Sequence, residues 1–363
     1  MSKIINKKTK AFFGPIDVAN IANSFVKLLR NEGYIADFYT YSNINQSFGY
    51  GSGKKITQVH FKFYIFGKNI FGVLNLIINL IIKRIFIFHI LINYNTFFYI
   101  SPHTILKQGK ELKLLKFFNK KIIILFVGCC ERDVNFLKND DEYICNRCED
   151  IKKRNVCLCD KIELKKDRVR NYEKYSSYIL AQDDSAGYLL NKKNIWMHLF
   201  AERPLNNDFI KKFEREKIRI MHFPSNPKIK LSNIIIPVLK KIKEKYDNIE
   251  LVIKTNIPHK EVLDELNNTH IVVDALGLSY GMLAIEAMAR GCVVLAGDFD
   301  FVNDKIPDLA IVGVNSNNLF DKLEELILNK ELLIRKAKDS LKFYNKYHSL
   351  EAAAKYYKEN LKL

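Results

Sequence analysis

The chain has 363 residues, which is enough for two domains of ordinary size, each with its own hydrophobic core. Hydrophobic residues make up 48% of the sequence, and this share excludes a disordered chain. Lysine and arginine outnumber the acidic residues by 58 to 40, and the formal charge of +18 favours an anionic partner: a nucleotide, a nucleic acid or an acidic lipid surface.

The amino terminus and the cysteines indicate the compartment. Residues 1–10 are basic, but no sustained apolar stretch of a secretory signal follows them. We therefore expect a cytoplasmic protein in which the seven cysteines are not joined in disulfides. Four of them cluster in an insertion at about residues 139–165, where they are free thiols or hold a structural zinc ion. Free thiols are favoured because the spacing is not that of a common zinc finger. The four are Cys145, Cys148, Cys157 and Cys159.

In the first half of the chain, predicted strands alternate with predicted helices. A strand at 11–14 ends in a Gly-Pro turn, and Asp17 and Gly33 are placed to cap and to stop the helix that follows. Further strands are predicted at 36–41, 96–100 and 121–127.

Residues 70–92 form the most apolar stretch. Its uncharged part, residues 70–82, ends after 13 residues at Lys83 and Arg84. This is shorter than the roughly 17 to 20 residues needed to cross a bilayer, so we do not expect a span. As a helix at about 68–92, it is either a core helix or a helix in the lipid interface, at the inner face of the cell membrane. One narrow polar stripe would run along it: Lys68, Gly72, Asn75, Asn79 and Lys83.

The second half of the chain repeats the alternation. Strands are predicted at 218–223, 249–254, 271–274, 292–296 and 310–314, with helices at 232–246 and 260–267. Three further helices follow, and Ser349 is the predicted N-cap of the last.

This alternation predicts an α/β protein of two doubly wound domains, with the ligand cleft at the carboxyl ends of the strands. We place the first domain at 1–203 and the second at 204–345. The last helix, 346–363, is placed to pack back on the first domain.

Two loops of the second half are candidate phosphate sites. In segment 270–297 a buried strand leads through a glycine-containing loop into a helix at about Met282, where free backbone amides suit a phosphate. Glu286 follows one turn later, where it suits sugar or ribose hydroxyls. In the second loop, 222–232, Lys230 is placed to put its ammonium beside a pyrophosphate.

These two segments carry a resemblance to a known family. HFPSN with Lys230 eight residues after His222, and YGMLAIEAMARGCVV some fifty residues later, resemble the C-terminal domain of GT-B glycosyltransferases, particularly the retaining enzymes of family four. The first half resembles their acceptor domain in its pattern. The resemblance covers nearly the whole chain. It implies that a sugar passes, with retention of configuration, from a nucleoside-diphosphate sugar to a glycan or lipid-linked acceptor in the synthesis of cell-surface polysaccharide, with no required cofactor.

The resemblance also implies roles for individual residues. Lys230 would contact the donor diphosphate, with Ser225 and Asn226 in the same loop, and Glu286 would bind the ribose. Backbone amides of Gly281, Met282 and Leu283 would hold the distal phosphate or the sugar. Facing the reacting sugar or the acceptor would be His103 and Asp133, with Gly14 lining the acceptor side.

The sequence departs from the family pattern in two places. Leu278 stands where many of these enzymes have a glutamate that touches the donor sugar, and Asp274 is the nearest upstream acid. Leu231 stands where a glycine often follows the phosphate-binding lysine. Two alternatives stay open: a sugar-nucleotide 2-epimerase of the same fold, for which no convincing acid and base are visible, and a nucleic-acid-binding protein. Nucleic acid is not the expected partner, because the basic residues are spread over the chain.

Overall fold

The computed structural model describes residues 9–41, 53–56, 64–65, 68–69, 72–127, 131, 162–182, 186–187, 189, 194–204, 208–276, 280–297, 306 and 308–362. Within these residues the chain forms two parallel sheets flanked by helices, so the predicted α/β class is confirmed.

The first sheet has seven strands, all paired in parallel, in the order β3-β2-β1-β6-β7-β8-β9. Its two central strands, β1 and β6, are nearly fully buried because helices cover both faces. A separate antiparallel pair is formed by β4 and β5. The strands are β1 Lys10–Phe13, β2 Ile35–Thr40, β3 Lys54–Lys55, β4 Tyr64–Ile65, β5 Lys68–Asn69, β6 Thr96–Ile100, β7 Lys121–Leu125, β8 Tyr178–Ala181 and β9 Ile195–Trp196.

Helices pack on both faces of the first sheet. Helix α1 (Ile21–Asn31) covers one face, and the other face carries α2 (Gly72–Asn93), α3 (Lys110–Phe117) and α4 (Ile162–Tyr175). Asp17 caps α1 as predicted, because its carboxylate accepts from the Ala22 amide at 2.8 Å. Gly33 lies just past the end of α1 with φ of +82°, a conformation that favours glycine.

The second sheet has five parallel strands in the order β11-β10-β12-β13-β14. They are β10 Ile218–His222, β11 Ile249–Ile253, β12 Ile271–Ala275, β13 Val293–Ala296 and β14 Val312–Gly313. The helices of this half are α5 Pro227–Lys230, α6 Ser232–Lys245, α7 His259–Asn267, α8 Met282–Met288, α9 Leu319–Leu328, α10 Lys330–Tyr347 and α11 Leu350–Leu361.

The strand order reverses beside the first strand of each sheet, between β1 and β6 and between β10 and β12. At such a switch point the two neighbouring loops leave in opposite directions and open a crevice at the carboxyl ends of the strands. The loops after β10 and β12 carry the two candidate phosphate segments, and the loop after β6 carries His103.

The last two helices bind the segment that connects the sheets. Tyr344 donates its hydroxyl hydrogen to the Ala201 carbonyl at 2.8 Å, and Tyr357 donates to that of His198 at 2.6 Å. Helix α11 then packs on α1 of the first half. Its predicted N-cap is confirmed, since the Ser349 hydroxyl accepts from the Ala352 amide at 3.1 Å.

The apolar stretch forms α2, which begins at Gly72, so Lys68 lies in a strand and is not part of the helical polar stripe. The core-helix interpretation is wrong for most of α2, because only 17% of its most apolar window is buried. By length and composition alone, the segment Leu74–Asn93, with a mean hydropathy of 1.9, is also sufficient to cross a membrane. The count of 13 uncharged residues therefore underestimates the length of the apolar part of this helix.

Candidate functional site

Lys230 meets a buried carboxylate at the switch point of the second sheet. It ends the short helix α5 after β10, and its Nζ lies 2.7 Å from Oδ1 of Asp274 at the end of β12. The Asp274 side chain is fully buried and that of Lys230 is 15% exposed. An ammonium has three N–H groups, so this bond leaves others of Lys230 for a ligand.

Asp274 owes its position to an irregularity in the strand. The register between β12 and β13 shifts between Val273 and Ala275, which makes Asp274 an extra residue, as in a β-bulge. Its second oxygen, Oδ2, accepts from the Gly281 amide at 3.2 Å. One carboxylate thus joins the ammonium and the amide that precedes α8. The Gly281 amide, predicted to be free for a phosphate, is bonded to Asp274 in this structure.

A buried histidine fixes the loop that carries Lys230. His222 Nδ1 lies 2.7 Å from the Val273 carbonyl, and Nε2 lies 2.8 Å from Oγ of Ser232. Because a carbonyl only accepts, Nδ1 carries the proton and Nε2 accepts from the serine hydroxyl. Burial lowers the pKa of His222, which keeps the ring neutral. The loop between β10 and α6 is therefore tied at both ends.

Leu231 explains why a glycine is common after such a lysine. Its φ is +60°, the left-handed region where a side chain is unfavourable, and it precedes α6 directly. In this chain the leucine side chain is buried in the core of the second half, so burial offsets the backbone cost.

Glu286 lies on α8, five residues after Gly281, and is almost fully buried. Its Oε1 is 2.7 Å from Nε2 of His259, the first residue of α7. Residue His259 follows β11, so three neighbouring strands each send one polar side chain to this edge. The pair fixes the direction of the Glu286 carboxylate.

The other predicted donor-site residues surround this centre. Ser225 is exposed, while Asn226 Oδ1 accepts from the Lys228 amide at 3.1 Å and so caps the start of α5. Met282 packs against the core of both halves, which places the start of α8 where the two domains meet. Leu283 packs within the second half.

Part of the EAMARG motif serves packing. Gly291 has φ of +65°, and a side chain there would lie only 2.3 Å from the ring of Phe209. The Ala287 and Ala289 side chains are fully buried in the core under α8. The small residues of the motif thus allow α8 to pack closely against the core, and Glu286 remains the candidate binding residue of the motif.

At the first sheet, His103 lies in the loop after β6 and is exposed. Desolvation by the surrounding protein lowers its pKa, and the positive charge of Arg168 lowers it further. The ring is therefore neutral at pH 7 and available as a proton acceptor.

Buried acids hold this loop at both ends. Ser101 donates to Glu131, whose carboxylate receives two bonds from Arg168, at 2.7 and 3.0 Å. Glu111 accepts from the Ile105 amide at 2.6 Å, and burial raises its pKa to about 7. The His103 loop is thus anchored before and after the histidine.

Packing requires a glycine at position 14, because a side chain there would lie 2.6 Å from the Tyr39 carbonyl oxygen. It follows β1 directly, beside the switch point of the first sheet. Asp133, Leu278 and the four clustered cysteines lie outside the described residues.

Arg168, Glu111 and His259 were not among the site residues predicted from the sequence. A signal existed for His259, which follows a predicted strand at the same edge as Lys230 and is a polar residue in a loop. The ion pair of Glu131 with Arg168 joins residues 37 apart, and no local pattern indicates it.

Comparison with proteins of known structure identifies the fold of this chain. No protein-family model matches the sequence, and no curated protein matches it. Solved structures match over almost the whole chain. HepE of Anabaena, in complex with UDP and glucose, is 10% identical with a TM-score of 0.57, and the match covers 98% of this chain and 99% of HepE.

Two further structures are similar. Sucrose-phosphate synthase from Thermosynechococcus elongatus is 11% identical, with a TM-score of 0.59 and 98% of each chain covered. A glycosyltransferase from Rickettsia africae is 16% identical, with a TM-score of 0.58, covering 98% of this chain and 99% of its own. At such identities the likeness shows the fold. The chain has the GT-B fold, two Rossmann-like domains that face each other across a cleft.

Proposed function

We propose that this protein is a glycosyltransferase that moves a sugar from a nucleoside-diphosphate sugar to an acceptor bound by the first domain. One observation carries the proposal: Lys230, Asp274 and the Gly281 amide meet at the switch point of the second sheet, on a GT-B fold. Phosphate groups bind at this place in doubly wound sheets. Structures of similar fold hold UDP, which supports a nucleotide donor.

The chemistry needs a positive charge where Lys230 lies. When the bond between the anomeric carbon and the distal phosphate oxygen breaks, the nucleoside diphosphate leaves with increased negative charge. Lys230 donates to a phosphate oxygen while Asp274 holds its Nζ at 2.7 Å, so the ammonium is already oriented when charge develops. The amides of Met282 and Leu283 would add the dipoles of the α8 start.

Glu286 suits the ribose of the donor. A carboxylate accepts hydrogen bonds from two neighbouring hydroxyls, and the contact with His259 at 2.7 Å keeps it in one orientation. The donor would then lie along the carboxyl edge of the second sheet, with its diphosphate at Lys230 and its nucleoside toward β11.

The acceptor would lie across the cleft, at the carboxyl edge of the first sheet. His103 is neutral there and would accept a hydrogen bond, or a proton, from the reacting hydroxyl. Asp133 and Gly14 remain predicted residues of the acceptor side. We propose a glycan or lipid-linked acceptor in cell-surface polysaccharide synthesis, with retention of configuration, in the cytoplasm and without a required cofactor.

Incubation with a panel of radiolabelled sugar nucleotides tests the reaction. Label in an acceptor together with released nucleoside diphosphate is the expected result. A labelled sugar nucleotide with an isomerised sugar would replace the proposal with an epimerase. Salt-sensitive duplex binding without turnover would replace it with a nucleic-acid-binding protein.

Thermal-shift screening against nucleoside diphosphates identifies the donor class. A ligand that binds only the folded state at 100 times its Kd stabilises the protein by about 2.7 kcal/mol. We expect one diphosphate to raise the melting temperature more than its monophosphate does. Equal shifts with both would remove the diphosphate contact from the proposal.

A further inference from the structure

We propose that helix α2 (Gly72–Asn93) binds the surface of an anionic phospholipid membrane and lies in the plane of the lipid interface. This proposal goes beyond glycosyl transfer and does not depend on it. Four observations carry it: the exposed apolar face of the helix, the partial burial of its polar side chains up to Lys83, its contact with the sheet, and the charge of its surroundings.

The apolar face is large. Ile85, Phe88 and Ile92 expose 65%, 63% and 66% of their surface, although each is apolar. With 3.6 residues per turn, these side chains and those of Ile77 and Ile81 lie on one side of the helix, and the exposed Arg84 lies beside them. A large exposed apolar face marks a binding surface. The exposed large apolar side chains of the helix are Leu74, Leu76, Ile77, Leu80, Ile81, Ile85, Phe88 and Ile92.

Three polar side chains of the helix, up to Lys83, are partly buried. Asn75, Asn79 and Lys83 are of intermediate exposure, whereas Arg84, His89 and Asn93 are exposed. Lys83 places its ammonium over the ring of Tyr41, 4.9 Å from the ring centre. A helix in contact with water turns its polar side outward, so partly buried polar side chains beside exposed apolar ones depart from the soluble pattern in this part of the helix.

The contact with the sheet decides between lying on the membrane and crossing it. Ile87, Ile90 and Leu91 are buried in the core of the first domain, and Tyr94 follows them into it. A helix that crosses a bilayer through its whole length cannot keep one side packed on a soluble sheet. Along this last part of the helix, lipid can reach only the opposite side, as in an interfacial helix.

The positive charge around α2 favours an anionic partner. Residues 64–125 contain nine lysines and arginines and a single acidic residue, Glu111, which is buried. On the same face of the sheet, the end of α3 exposes Phe117 by 77%, next to Lys116, and the following residue, Phe118, is 49% exposed. Basic and aromatic side chains around an apolar face match an anionic lipid surface. A second copy would bring like charges together, which opposes self-association.

The helix also lies next to the acceptor side of the cleft. Tyr41, which contacts Lys83, follows the carboxyl end of β2 and donates its hydroxyl to the Ile105 carbonyl at 3.0 Å. That carbonyl belongs to the loop of His103. The eleven residues of α2 before Lys83 form a segment about 16 Å long. Membrane binding would therefore bring lipid close to the acceptor site.

Vesicle flotation tests the proposal with the full chain. We expect binding to vesicles of phosphatidylcholine with phosphatidylglycerol, little binding to phosphatidylcholine alone, and weaker binding at high salt. The double variant Ile85→Asp, Phe88→Asp should lower the partition coefficient at least tenfold. Leu328→Asp is the matched control, because Leu328 is 67% exposed on α9 of the second domain, and it should leave binding unchanged.

Four results would overturn the proposal. The first is no binding to either vesicle, and the second is equal binding by the double variant and the wild type. The third is a dimer in sedimentation velocity that the double variant abolishes, which would make a second copy the partner. The fourth is resistance of the membrane-bound protein to extraction at alkaline pH, which would replace the interfacial helix with a span. A UDP-induced thermal shift that persists in the double variant would show that fold and donor site are intact.

Discussion

Replacement of Lys230 tests the donor site, but its result depends on Asp274. The Asp274 carboxylate is fully buried, and in Lys230→Met it would keep only the bond from the Gly281 amide. Removing one partner of a buried ion pair costs about 3–5 kcal/mol. We expect the melting temperature of this variant to fall by roughly 10 °C. Loss of activity in Lys230→Met would therefore not distinguish a binding residue from a structural one.

The double variant Lys230→Met, Asp274→Asn separates the two effects. It has no uncompensated charge, so the free energy of unfolding should return to within about 1 kcal/mol of the wild type. The affinity for UDP should stay low, because the cation is still absent. A charge-assisted bond contributes about 1.5–3 kcal/mol, so Kd should rise by about 10- to 100-fold. Calorimetric titration with UDP and urea denaturation measure the two quantities.

Lys228→Met provides the matched control. Lys228 is exposed and lies on the same short helix, two residues before Lys230. Its replacement by methionine removes the same charge. It should change Kd by less than about threefold, because an exposed charge is screened by salt. Wild-type affinity in the double variant would refute the role of Lys230. An equal loss in Lys228→Met would assign the effect to net charge.

Three further predictions concern the residues around the site. Ser232→Ala leaves a buried imidazole nitrogen unsatisfied and should cost about 1–3 kcal/mol in urea denaturation. Ser340→Ala is the control for this variant and should leave the free energy of unfolding nearly unchanged, since the buried Ser340 hydroxyl has no hydrogen-bond partner in the described structure. The pKa of Glu111 is raised to about 7 by burial, so its stabilising contribution is complete below pH 4.5 and is lost as pH rises through 7. From pH 4.5 to 8 the wild type should lose about 3 kcal/mol relative to Glu111→Gln, and parallel pH curves would contradict this. His259→Ala should weaken UDP binding less than Glu286→Ala does, because the histidine acts through the carboxylate; the reverse order would make His259 the direct contact.

Much of the fold was predictable because its signals are local. The strand Thr96–Ile100 has the predicted bounds, since five apolar and β-branched or aromatic residues stand between turn signals. Ser349 caps its helix through a bond to a residue three positions later. The placement of Lys230 and Gly281 at one edge followed from the rule that parallel strands end together. By contrast, the two-residue strand Ile195–Trp196 is too short to show a pattern.

The internal partners of the site were not predictable, because they depend on long-range geometry. Asp274 reaches both Lys230 and the Gly281 amide only through the register shift in its strand, which the alternation of residues does not reveal. His259 meets Glu286 across two helices, 27 residues apart. The direction of α2 also needed the structure, since its apolar pattern suits a core helix and an interfacial helix equally.

A crystal structure of the protein with UDP tests the central claim most directly. We expect the diphosphate within hydrogen-bonding distance of Lys230 Nζ and close to the start of α8, with the ribose hydroxyls on the Glu286 carboxylate. Lys230 should keep or share its bond to Asp274. UDP bound away from the carboxyl edge of the second sheet, with Lys230 still paired only to Asp274, would contradict the account.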